Sequence, residues 1–186
     1  MKVTSIKSLQ ARRIVSLASV AVYVTAIASY AVVGLSSTAS AAALSRVLVR
    51  FDRMKASTAT TGTVCANSTS TAQTTVTVTF PAGYTVSTTT GNWSTSTTNL
   101  AWPATAVAWP SIGATATSAV GQVVTFASGS LTPGTLYCFN WTNTAAVTLP
   151  AAGTYTGTVT TSTDTATSFA TAAIADDQIV VSASVA

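Results

Sequence analysis

The chain has 186 residues, and Thr (38), Ala (34) and Ser (23) make up just over half of them. It contains no His and no Glu, and its charged residues are 6% against the roughly one quarter of an ordinary domain. Proton-transfer catalysis and transition-metal binding rely mainly on the residue types that are missing, so most enzyme classes are excluded before any motif is sought.

Charge is unevenly placed. All eight basic residues lie in the first 55 positions, and from Ala56 onward the only charges are Asp164, Asp176 and Asp177. Without residues 1–41, four bases (Arg46, Arg50, Arg53, Lys55) face four Asp, for a net charge of 0. Nucleic-acid binding needs cations spread along a face to displace counterions, and none is expected here. Thr and Ser hydroxyls, more than charge repulsion, must keep such a body soluble.

The N-terminus reads as an export signal. Lys2, Lys7, Arg12 and Arg13 precede an uncharged stretch, Ile14 to Leu35, and then Ala39-Ser40-Ala41. Basic, apolar and small-x-small segments in that order form a secretory signal over residues 1–41, with cleavage expected before Ala42. The apolar stretch is long enough for the alternative, a retained span over residues 14–35 anchored in the cytoplasmic membrane. Both readings place the body, residues 42–186, outside that membrane. The residues after Arg12-Arg13 fit a twin-arginine signal poorly. A pilin signal lacks its Glu, and neither cysteine sits where a lipid would be attached. No apolar tail with a basic stop marks a sortase anchor.

Beyond Ala43 the apolar residues recur with period two. Val47, Val49 and Phe51 alternate with Arg46, Arg50 and Asp52, which predicts a strand over Arg46–Arg53. Val76, Val78 and Phe80 alternate with Thr, and Tyr84 and Val86 follow a Pro81-Ala82-Gly83 turn. Val120 to Phe126, Thr135 to Thr142, Thr154 to Thr161 and Gln178 to Val185 read the same way. β-Branched and aromatic residues at alternate positions suit a sheet buried on one side. Residues 56–75 and 87–99 are Thr/Ser-rich enough to be loops or weak strands. Gly and Pro punctuate the runs. About eight or nine short strands at this spacing predict an all-β fold, a single antiparallel β-sandwich.

Export together with two cysteines points to one disulfide, Cys65–Cys138. A metal site and two buried free thiols are the rival readings. A bridge of that span with Trp93, Trp102 and Trp109 between its ends resembles immunoglobulin-like domains. In those domains the disulfide staples the two sheets and a Trp packs on it. Their tyrosine corner lies two residues before the second cysteine, whereas Tyr137 here is adjacent to Cys138. Gly153-Thr154-Tyr155-Thr156 resembles a strand opening of bacterial immunoglobulin-like domains. The chain also resembles a set of secreted proteins of uncultured candidate-phylum bacteria. The residues that carry the likeness are Arg53-Met54-Lys55-Ala56-Ser57-Thr58, Val78-Thr79-Phe80-Pro81-Ala82-Gly83, Gly134-Thr135-Leu136-Tyr137-Cys138-Phe139 and Asp177-Gln178-Ile179-Val180-Val181. That resemblance implies a compartment and a fold, and no chemistry.

Candidate chemistry is sparse. Ser or Thr nucleophiles need a base, and Lys55 is the one Lys of the mature body, so no catalytic residue is expected. A Lys55–Asn cross-link would need a buried carboxyl beside it. No cofactor is expected. Calcium is the better metal guess, because it takes oxygen ligands, with Asp164, Asp176 and Asp177 as weak candidates. Trp102 and Trp109, each followed by Pro, are candidates for stacking on a surface glycan, while Trp93 and Trp141 read as core. Asn67, Asn92 and Asn140 match the glycosylation acceptor pattern.

The sequence therefore predicts an exported structural protein of the cell surface or exterior, a layer or filament subunit, and not an enzyme. Its terminal strands, Arg46–Arg53 and Gln178–Val185, are candidates for self-association by strand exchange. The alternative is an adhesin-like binding module, which requires solvent-facing Trp near one loop end.

Overall fold

The computed structural model describes residues 41–100 and 103–176. The signal or anchor segment and the strand expected over Gln178–Val185 lie outside the described residues. So do Trp102 and Asp177.

Thirteen strands are described: β1 (Arg46–Phe51), β2 (Ala59–Thr60), β3 (Gly62–Asn67), β4 (Thr75–Thr79), β5 (Thr85–Val86), β6 (Thr95–Ser96), β7 (Val107–Ala108), β8 (Ser118–Val120), β9 (Val123–Ala127), β10 (Leu136–Trp141), β11 (Val147–Thr148), β12 (Gly153–Thr161) and β13 (Thr167–Ala173). They form an all-β antiparallel sandwich. One sheet runs β1-β3-β10-β6, with β7 also alongside β10 as a short parallel pair. The other runs β13-β12-β4-β9-β8, and a small third sheet is β2-β11-β5. The helical content among the described residues is a single 3-10 turn at Thr90–Asn92.

Alternation decides which side chains meet. Val64, Phe139 and Trp141 of the first sheet pack in one core with Val76, Val78, Val124, Phe126, Val159 and Phe169 of the second. Phe126 and Phe139 join the sheets at 4.9 Å between ring centroids. Trp93 packs between Phe80, Phe126 and Trp141. The outer face of the second sheet is a Thr ladder. Thr160, Thr77, Thr125 and Ser118 stand opposite one another in a row across four strands. Thr77 and Thr125 share a hydrogen bond of 3.0 Å. Threonine keeps the β-branch that suits a strand and presents a hydroxyl to water, so this face is wet without being charged.

Several sequence expectations change here. The single strand expected over Val120–Phe126 is a hairpin, because Gly121 takes φ 58 and turns the chain between β8 and β9. The Thr/Ser-rich stretch 56–75 contains β3, whose residues Gly62 to Ala66 are all buried. β13 was not anticipated at all. Its inward residues include only two clear hydrophobes, Phe169 and Ala173, too few to show a period. The corner-like tyrosine is Tyr155, not Tyr137: its hydroxyl donates to the Ala151 carbonyl at 2.7 Å.

β1 pairs with β3 along its length. Its flanks also meet those of β13, through bridges Ala43 with Thr165 and Lys55 with Ile174. The N-terminal strand of the body is thus paired inside its own chain.

Candidate functional site

Two clusters concentrate the polar chemistry. The first is the outer face of the cysteine sheet. Because β1, β3 and β10 are in register, Arg50, Thr63 and Asn140 stand side by side. Two residues along each strand lie Leu48, Cys65 and Cys138, also opposite one another. The disulfide therefore forms between adjacent strands of one sheet, with Cα atoms 4.1 Å apart and an S–S bond of 2.03 Å. This corrects the arrangement implied by the immunoglobulin resemblance, in which the bridge joins the two sheets. Leu100 and Ala106 pack over the sulfurs, and both cysteines are fully buried.

Beside the disulfide lies a cleft of about 340 Å³, lined by Arg50, Asp52, Thr63, Asn99, Asn140 and Thr142 among others. Arg50 pairs with Asp52 at 2.9 Å, and Thr61 Oγ1 donates to the other Asp52 oxygen at 2.5 Å. Thr63 Oγ1 donates to Asn140 Oδ1 at 2.7 Å, while Asn140 Nδ2 donates to the Thr98 carbonyl at 3.1 Å. The cleft sets Arg50, Thr63 and Asn140 in one row with Asp52 beside Arg50, so a cation, an anion and an amide lie close together.

The second cluster is a buried carboxylate. Asp164 lies in the turn between β12 and β13 and is 2% exposed. Its Oδ1 accepts Thr69 Oγ1 at 2.8 Å. Its Oδ2 accepts Thr161 Oγ1 at 3.1 Å and lies 2.6 Å from Ser68 Oγ. Burial pushes this carboxyl's pKa up, but hydrogen bonds from the side chains of Ser68, Ser70, Thr69 and Thr161 outweigh burial and hold it at about 2. The network ties the β3–β4 loop to the last hairpin. Thr69 Oγ1 also lies 3.1 Å from the Ala43 carbonyl, a competing acceptor for its one proton.

The calcium expectation does not find its geometry. Asp164 and Asp176 flank opposite ends of β13, and Asp176 is exposed. Seven extended residues separate those ends by roughly 20 Å. Among the described residues no three His, Cys, Asp or Glu gather in a metal-binding group.

The glycan-stacking expectation at Trp109 is corrected by burial. Trp109 is 2% exposed, its ring meets Phe139 edge-on, and its Nε1 donates to Ser128 Oγ at 2.9 Å. Trp93 and Trp141 are likewise buried, with Nε1 donating to the carbonyls of Ser87 and Thr60. Pro110 had suggested a turn and hence exposure; the turn exists, but the ring before it points inward. Of the acceptor asparagines, Asn67 and Asn140 sit on strands, and the Asn92 amide already donates to Ser87 Oγ at 2.9 Å. The Asp164 network was missed because its partners are ordinary Ser, Thr and Gln, scattered over nearly 100 positions.

No protein family matches this chain, and no curated protein does. Among solved structures it is similar to one titled "Crystal structure of BslA - A bacterial hydrophobin", at 14% identity and a TM-score of 0.38, over 69% of this chain and 95% of that one. At that level of identity and overlap, function rests on this chain's own residues.

Proposed function

We propose that this chain is an exported structural protein of the cell surface or exterior, a subunit of a layer or filament. The observation that carries the proposal is the buried Cys65–Cys138 disulfide, because such bonds persist in oxidising compartments outside the cytosol. The basic-apolar-small order of residues 1–41 supplies the route there. The uncharged Thr ladder supports a role in which surface and shape matter more than reactivity. Assembly through the terminal strands rests on Gln178–Val185, since β1 already hydrogen-bonds within the chain. The test is fractionation of the source cell, with mass spectrometry of the protein from each fraction. Recovery from the envelope or medium, cut before Ala42 and disulfide-bonded, supports the reading. A reduced protein in the cytosol overturns it.

A glycan-binding module is the second reading, favoured by the mixed polar cleft at Arg50, Asp52 and Asn140. It no longer has an aromatic platform at Trp109. A glycan array in which Asn140→Ala removes all binding would select this reading over the first.

A further inference from the structure

Outside the cleft, the densest chemistry lies at the buried start of the β3–β4 loop. Ser68, Gln73 and Asp164 are each no more than 2% exposed. Ser68 Oγ lies 2.6 Å from Asp164 Oδ2 and 2.5 Å from the Ser70 carbonyl, and its one proton can serve only one of them at a time. The carboxylate is the stronger acceptor. Gln73 Nε2 is in hydrogen-bond contact with Ser68 Oγ and lies 3.3 Å from Asp164 Oδ2. Gln73 Oε1 accepts the backbone N–H of Leu131 at 2.9 Å. These are the parts of an acyl transfer: a hydroxyl, a carboxylate to take its proton, a carbonyl with a donor on its oxygen, and a leaving nitrogen beside the same carboxylate.

We propose that Ser68 and Gln73 become joined by an intramolecular ester, which the folded chain forms once in its own buried site. Ser68 Oγ attacks Gln73 Cδ as its proton passes to Asp164. The carbonyl electron pair moves onto Oε1, where the Leu131 N–H meets the developing charge. The pair then returns, the Cδ–Nε2 bond breaks, and Asp164 gives the proton to the departing nitrogen. One ammonia leaves, one ester forms, and Asp164 ends as the anion it was. No oxidant, reductant or cofactor enters the balance.

Reach, dryness and timescale fit this step. A carboxamide nitrogen is bonded to its carbon at about 1.3 Å, so the hydroxyl in hydrogen-bond contact with Nε2 is also a neighbour of Cδ. Burial keeps out the water that would hydrolyse the product. Ala72, at φ 63, turns the chain so that Gln73 comes back onto a serine five residues earlier. Asp164 is a weak base, which makes the reaction slow, but a step needed once per molecule tolerates slowness. Dilution of the released ammonia draws it forward.

Mass spectrometry of the full chain, purified after export at neutral pH, tests this. The expected result is a loss of about 17 Da, the mass of one ammonia, confined to a fragment containing residues 68–73 and reopened by neutral hydroxylamine. Ser68→Ala keeps the carboxylate and its other donors, and should show the full mass of its own sequence. Asp164→Asn should do the same, although it also weakens the fold. Wild-type protein at full mass, with the Gln73 amide intact, overturns the proposal and leaves a hydrogen-bond network only. A loss that persists in Ser68→Ala overturns it equally.

Discussion

Cys65 and Cys138 face each other across neighbouring strands, so their bond staples one sheet to itself and leaves the joining of the sheets to the core. The closed loop still spans 73 positions. Chain entropy assigns such a bridge about 4 kcal/mol. Replacing both cysteines with Ala should lower unfolding stability in urea by about that amount. Since both sulfurs are fully buried, mild reductant should leave the native bond intact and cleave it only as denaturant opens the fold.

Gly62 permits the closest approach in the core. A Cβ at that position would collide with the Trp141 ring and the Arg50 carbonyl. Backbone on one side and a ring packed against Phe51 and Phe80 on the other leave neither neighbour room to move. Gly62→Ala should therefore cost about 3 kcal/mol. Thermal unfolding measures this, with Gly91→Ala, where a Cβ meets nothing within 4 Å, as the control.

Stability should fall in acid through Asp164. Its folded pKa of about 2 lies below the unfolded value of about 3.9. Its contribution, about 2–3 kcal/mol, is complete above about pH 4 and is lost as pH falls toward 2. Urea midpoints between pH 5 and pH 2 should drop in wild type, and the part due to this carboxyl should be missing in Asp164→Asn. The variant itself should be weaker at neutral pH by about 2–4 kcal/mol, because the buried donors lose an anion.

The Arg50–Asp52 pair should matter little to stability. Its side chains are 47% and 41% exposed, and solvent-screened pairs contribute about 0–1 kcal/mol. Arg50→Ala should leave the thermal midpoint nearly unchanged. A large loss would show that the guanidinium supports the cleft by packing as well as by charge.

Ala72 adopts a left-handed backbone without being glycine. A Cβ there costs about 1 kcal/mol. Ala72→Gly removes this strain but enlarges the freedom of the unfolded chain, so a net gain below about 1 kcal/mol is expected in chemical denaturation.

Legibility followed local contrast. The strand around Val76, Val78 and Phe80 alternates large apolar residues with Thr, and the one around Tyr137, Phe139 and Trp141 has an aromatic ring at every second position, so their period was plain. β3 and β13 were obscured because small residues dominate them, with Val64 and Phe169 as their one large apolar side chain each, and a small residue does not reveal which way it points. Gly62 is buried for lack of a side chain, not for possession of an apolar one. The cysteine pairing was legible because only one pairing exists. That the bridge lies within one sheet depended on the register of β3 with β10, which no local pattern encodes.

By itself the sequence determined an all-β body with one disulfide, depleted of acid–base groups, behind a segment patterned for export. These follow from composition and from the period of two, which are properties of neighbours along the chain. Only the tertiary structure decided that the Trp109 ring points inward, that Asp164 and Asp176 stand apart, and that Ser68, Gln73 and Asp164 share one dry site. The reason is that long-range strand pairing brings together residues as far apart in sequence as Ser68 and Asp164, 96 positions, and no interaction along the chain reports on it.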